Sequence, residues 1–115
     1  MKKHLLLWMA LFILLTASCG SDPLAASYVV KYTVTGTAET GNIDYFDENG
    51  GLAIINGIQI PWSHSFSASR GHEVYITAQR TSQQGTVTVT IYRNNEILDQ
   101  ATSSDGGAAT AQGTI

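Results

Sequence analysis

The sequence predicts an all-β fold, an immunoglobulin-like β-sandwich of about seven strands over residues 28–115, set behind an N-terminal signal peptide. Three observations support that expectation. Apolar residues recur with a period of two along several short stretches, the spacing at which successive side chains on an extended strand point to opposite faces. Turn-forming residues separate those stretches at short intervals. After residue 27 no segment places apolar residues at helical spacing for ten or more positions.

The chain opens MKKHLLLWMALFILLTASCG, with Lys2 and Lys3 ahead of an apolar run from Leu5 to Leu15 and small residues before Cys19. That order is the layout of a secretory signal. A helix of this length rises only about 16 Å, roughly half the hydrocarbon thickness of a bilayer, so the run is expected to be removed and not to persist as a span. Cys19 is the sole cysteine, which rules out an internal disulfide. The stretch LLTASC resembles the lipobox of bacterial lipoproteins, with Thr16 where leucine is usual. Cys19 is therefore expected to be lipidated, each buried methylene adding about 0.8 kcal/mol of membrane affinity. The expected divisions are residues 1–18 as lipoprotein signal peptide, 19–27 as lipidated cysteine and tether, and 28–115 as the sandwich. Gly20, standing where an aspartate would retain a lipoprotein at the inner membrane, implies an outer-membrane location in the bacterial envelope, with the face left open.

Loss of the signal removes Lys2 and Lys3, leaving Lys31, Arg70, Arg80 and Arg93 against nine carboxylates. Such a balance gives no basic footprint for nucleic acid. The remaining length is one domain's worth of chain, which without disulfides must rely on packing.

The elements follow in order. Residues 20–27, GSDPLAAS, lack periodicity and read as the tether. In YVVKYTVTG, Tyr28, Val30, Tyr32 and Val34 fall on one face, opposite Lys31, Thr33 and Thr35. Val74, Ile76 and Ala78 share a face in HEVYITAQR, as do Val87, Val89 and Ile91 in TVTVTIYR, and TSQQG between them supplies a polar turn. Asn94-Asn95 joins two further strands, since asparagine tolerates the positive φ of a tight hairpin. The C-terminal GGAATAQGTI alternates once more.

Pro61 interrupts one alternating stretch. Lacking an amide hydrogen, it is expected at an edge or where a strand leaves one sheet for the other. Beyond it Trp62, His64, Phe66 and Ala68 alternate with Ser63, Ser65 and Ser67. Trp62 is expected to plug the end of the core beside the bend. The expected core positions are Trp62, Pro61, Tyr32, Val34, Phe66, Val74, Ile76, Val87, Val89 and Ile91.

Taken in order and spacing, VKYTVTGTA, IDYFDENGG, IPWSHSFSAS, VYITAQ, GTVTVTIYRNN and GAATAQGTI resemble the extracytoplasmic domain of the mycobacterial membrane protein family called MmpS. The likeness runs from about Lys31 to Ile115, and its most distinctive parts are the Y-x-V-x-G start, the central P-W-S and the I-x-x-N hairpin. It implies a small β-sandwich outside the membrane and a role as accessory partner of large lipid and siderophore exporters. Two features depart from the family pattern. The family is held by a transmembrane helix, where this chain has Cys19. Members also carry a disulfide between the strand before the hairpin and the last strand, and Val89 and about Ala111 take those places here.

Other chemistry is sparse. Asp47 and Asn49 precede Gly50 as in a calcium loop, but Tyr45 and Asn56 stand where carboxylate ligands belong, so a hairpin turn is expected. Beyond the signal only His64 and His72 remain, too few for a zinc site; His64 is expected at the core margin and His72 in a turn with Arg70 and Gly71. The serines lack a nucleophile-elbow context. No metal, cofactor or catalytic group is expected. The threonine rows at 86, 88, 90 and at 110, 114 suggest a lightly charged edge able to accept a partner strand. The function expected is a non-enzymatic, lipid-anchored envelope protein whose sandwich binds an envelope partner. The alternative is a carbohydrate- or ligand-binding module using Tyr45, Phe46, Tyr75 or Tyr92. A small inhibitor or immunity-like protein is also compatible with these residues.

Overall fold

The computed structural model describes residues 27–115; the signal, Cys19 and most of the tether lie outside the described residues. Eight strands form: β1 (Ser27–Thr35), β2 (Thr40–Phe46), β3 (Leu52–Gln59), β4 (Trp62–Ser69), β5 (Glu73–Arg80), β6 (Val87–Arg93), β7 (Glu96–Ser103) and β8 (Ala109–Thr114). They build two four-stranded antiparallel sheets, ordered β4-β1-β6-β7 (sheet 1) and β3-β2-β5-β8 (sheet 2). The expected β-sandwich is thus present, with one strand more than the approximate count. The extra strand comes from the region where alternation is weakest, because β3 is apolar on both faces at Leu52, Ala53, Ile54 and Ile55.

Only the β2–β3 and β6–β7 hairpins stay within a sheet; every other connection crosses the sandwich. The crossing from β3 to β4 falls at Ile60-Pro61, where the missing donor was expected to end a ladder. Asn94 and Asn95 adopt φ of 51° and 69° in the tight β6–β7 turn.

Between the sheets lies one apolar cluster. Tyr32, Val34, Val74, Ile76, Val87, Val89 and Ile91 are each at most 1% exposed. Three expected core positions differ. Pro61 is exposed, because the bend lies outside both sheets, and Trp62 and Phe66 are only half-buried against the cluster. The reason is that β4 is an edge strand, whose inward side chains gain neighbours from one flank alone. Val89 and Ala111 are both fully buried on strands from opposite sheets that meet across the core.

The domain has two dissimilar ends. At the top, Gly36 and Gly85 pin two crossings together. Both have positive φ, and a Cβ at either would stand within 2.4 Å of the other crossing's backbone. That approach lets Ala38 N donate to Thr86 O and Thr37 and Thr86 exchange side-chain bonds. The base is the end where the chain comes in at Ser27, together with the Arg70-Gly71 turn, the Asn94-Asn95 turn and Ile115. Here Gly71 N donates to Ile115 O, and Ile115 N to His72 O.

The two flanks differ as well. On one flank β7 and β8 approach each other, Gln112 N donating to Asp99 Oδ2 at 2.9 Å and Leu98 packing over Gly113. On the opposite flank β3 and β4 are both sheet edges. This corrects the expected location of a free edge: β6, which holds Thr88 and Thr90, is interior, paired to β1 and β7. Its hydroxyls are used within the sheet, Thr88 with Thr102 and Thr90 with Gln100. Thr110 and Thr114 do lie on an edge strand, but one flanked by β7.

Candidate interaction edge

Strand β4 reads WSHSFSAS and contains no Asp, Glu, Lys or Arg. It pairs with β1 without a register shift from Ser27 opposite Ser69 to Val34 opposite Trp62. Its other side has no strand partner among the described residues. Natural edges are commonly blunted by a bulge, a proline or charge, and β4 has none of these within its length. Neighbouring β3 is interrupted by a bulge opposite Gly41 and Ile43, and Gly57 adopts a φ of 77° with its N–H capped by Asn42 Oδ1.

The inward side chains of β4 form an aromatic ladder. Trp62, His64 and Phe66 succeed one another at centroid distances of 6.2 and 5.8 Å. Tyr45 of β2 packs against both Trp62 at 5.5 Å and His64 at 5.3 Å, and Phe66 continues to Tyr32 and His72. Tilted and stacked aromatic pairs of this kind each add about 0.5–1.5 kcal/mol beyond their buried area. The ladder therefore holds β4 in place although one flank is open.

Tyr32 anchors the ladder to the opposite sheet. The β2–β5 register ends at Tyr45 opposite Ile76, and the Tyr32 hydroxyl occupies the next rung. It donates to Phe46 O at 2.6 Å and accepts from Tyr75 N at 3.4 Å. Burial pushes its phenol up to about 12, against the smaller opposing pull of the Tyr75 N–H, with Tyr45 and Asp47 adding slightly to the rise. Burial, then the nearby Glu48 and Asp47, raises Tyr45 too.

Both histidines sit where the sequence suggested. His64 is half-buried within the ladder, its Nε2 enclosed without a hydrogen-bond partner and 3.7 Å from Glu48 Oε1. His72 lies after the Arg70-Gly71 turn, its Nε2 3.2 Å from Asp47 O. Asp47 organises the β2–β3 hairpin, its Oδ1 accepting from Asn49 N and Gly51 N at 2.9 and 3.0 Å. Among the described residues no three His, Cys, Asp or Glu side chains gather as a metal site, and no helix is long and apolar enough to cross a membrane.

The four aromatics considered for ligand stacking divide. Tyr45 is in the core at 7% exposure, contrary to expectation, because β2 is an interior strand that turns it inward. Phe46 and Tyr75 pair at 5.1 Å on the outer face of sheet 2, and Tyr92 lies under Lys31 on the outer face of sheet 1. Reading by periodicity missed the β3–β4 flank as a unit. Its signal was the absence of any charged residue from Leu52 to Ser69, a gap covering both edge strands.

These features define a class: a small disulfide-free β-sandwich with one closed flank and one uncharged, open flank. The chain belongs to the Mycobacterium membrane protein family, whose sequence model matches residues 16–112. That is the family anticipated from the motifs. No curated protein matches the chain.

Proposed function

We propose that this protein is a non-enzymatic accessory module of the bacterial cell envelope, lipid-anchored through Cys19 at the outer membrane, that docks a component of an envelope transport or assembly system along β4. Family membership supports the accessory role. The observation on which the docking rests is β4 itself, eight residues without charge or bulge whose outer side has no strand partner among the described residues and can take an added strand. The test is affinity capture from envelope extracts with the full chain and with Ser65→Lys/Ser67→Lys. Both serines are exposed, so the variant should keep its unfolding midpoint while losing the transport or assembly component. Undiminished capture refutes docking at β4. Cys19→Ala should move the protein out of the membrane fraction, and an unchanged distribution refutes the anchor.

The Phe46–Tyr75 pair favours a second reading, a stacking surface for carbohydrate. Silence of the folded chain on a glycan array removes it.

A further inference from the structure

The base and top of the sandwich differ in chemistry as well as in shape. The base gathers three of the four cations among the described residues: Lys31, Arg70 and Arg93. None of them is ion-paired there, since the one ion pair among the described residues joins His64 to Glu48. Arg93 stands over the Tyr28 ring at 5.9 Å, Arg70 reaches the Tyr28 hydroxyl at 3.4 Å, and Lys31 lies over Tyr92 at 5.7 Å. The fourth cation, Arg80, is at the top and donates to Gly85 O.

Of the five exposed large hydrophobics among the described residues, Leu52, Ile54 and Ile55 lie on β3 in sheet 2 and the other two on sheet 1. Val29 and Ile97, 52% and 57% exposed, flank Tyr92 on the outer face of sheet 1 at the base. The crossings at the top, by contrast, consist largely of Gly, Thr, Ser and Gln and include no exposed large hydrophobic residue. Carboxylates also occur at the base, but Asp47, Glu48 and Glu73 belong to the sheet 2 side. Only Glu96 stands among the cations of sheet 1.

We infer that the sheet 1 side of the base is a docking surface for an anionic phospholipid bilayer. Val29 and Ile97 would enter the interfacial zone, Tyr92 would sit at headgroup level, and Lys31, Arg70 and Arg93 would meet lipid phosphates. Aromatic rings and stemmed cations around a small apolar tip suit that boundary, where one end of each side chain is wet and the other dry. The chain's own geometry supports the choice of a membrane over a protein partner. The residues outside the structure join at Ser27, in the base, and include Cys19, the expected lipidation site. A tether from Cys19 to Ala26 spans at most about 28 Å when fully extended, so an anchor there holds this end within reach of the bilayer. The inference rests on the membrane-held reading above and adds which surface lies down.

The experiment uses isotope-labelled full chain in nanodiscs of phosphatidylcholine with phosphatidylglycerol, doped with a gadolinium-headgroup lipid. Amide broadening is expected to be strongest at Val29, Tyr92 and Ile97 and weakest at residues 36–39 and 81–86. Each cation-removing change, Lys31→Gln or Arg93→Gln, should weaken docking by about fivefold at low salt. Replacing the anionic lipid with phosphatidylcholine alone should do at least as much. Both variants leave exposed positions neutral, and their amide spectra report folding directly. Full chain that fails to co-fractionate with the discs overturns anchor and docking together. Full chain that co-fractionates but broadens evenly, or broadens most at the top or on the sheet 2 side, overturns the docking alone. Broadening at the base that ignores both the lipid charge and the variants overturns the assignment to anionic lipid.

Discussion

Tyr32→Phe removes one oxygen from the most enclosed part of the core and leaves the ring contacts to Tyr45 and Phe66 in place. The affected hydroxyl fills the rung between Phe46 O and Tyr75 N where the β2–β5 ladder stops. Without it the Phe46 carbonyl loses a short bond in a buried setting, worth about 1–3 kcal/mol, and the longer Tyr75 contact adds little. For a domain of this size a loss near 2 kcal/mol lowers the midpoint by about 8–16 °C. Thermal and urea unfolding of wild type and variant, followed by circular dichroism, measure it. An alkaline titration separates the hydroxyl from mere packing. With the folded phenol near 12 and the unfolded one near 10, the unfolded chain releases its proton first as pH rises. The contribution is fully present below pH 10 and is lost as pH climbs through 12. At about 1.4 kcal/mol per unit, the loss is on the order of 2–3 kcal/mol. Tyr32→Phe lacks this limb and keeps only the smaller slope due to Tyr45. A variant midpoint within about 1 °C of wild type, or alkaline slopes that coincide, would refute the reasoning.

Gly85→Ala forces a Cβ against the Ala38 backbone at a φ of 113° and should cost on the order of 2–4 kcal/mol, measured by urea midpoint; a neutral result would mean that the top crossings are not pinned. Trp62→Ala should cost about 2–3 kcal/mol, less than the 3–5 typical of a fully enclosed tryptophan, because the ring is half-buried at an edge; calorimetry that finds less than about 1 kcal/mol places the ring in solvent. Asn94→Ala removes both a tolerated positive φ and the acceptor for Val29 N, and should cost about 1–2 kcal/mol in the same assay, whereas Asn95→Gly should be neutral or stabilising.

Strands were legible wherever one face is buried and the other wet. On β1, β5 and β6 every second residue is apolar, and each of those strands is interior to its sheet. The sheet change at Pro61 was legible too, because a missing donor is a property of the residue and not of its neighbours. The edges were not. A threonine row looks the same on β6, where its hydroxyls bind neighbouring strands, as on a free margin, and only long-range pairing tells them apart. Likewise Tyr45 and Phe46 are adjacent aromatics, and which one turns inward depends on the register of β2. The glycines at 36 and 85 gave no local sign that two crossings 49 residues apart would share a hydrogen bond.

The pairing of β1 with β4 also has a mechanical consequence. The tether attaches at the first residue of β1, and the proposed partner strand would add along β4, the adjacent strand. Tension between a membrane and a moving partner would then run along the two strands in opposite directions, loading their shared rungs together instead of peeling them one at a time. Force would cross one ladder and leave sheet 2 unloaded, so the domain can be tugged repeatedly without its second layer being asked to yield.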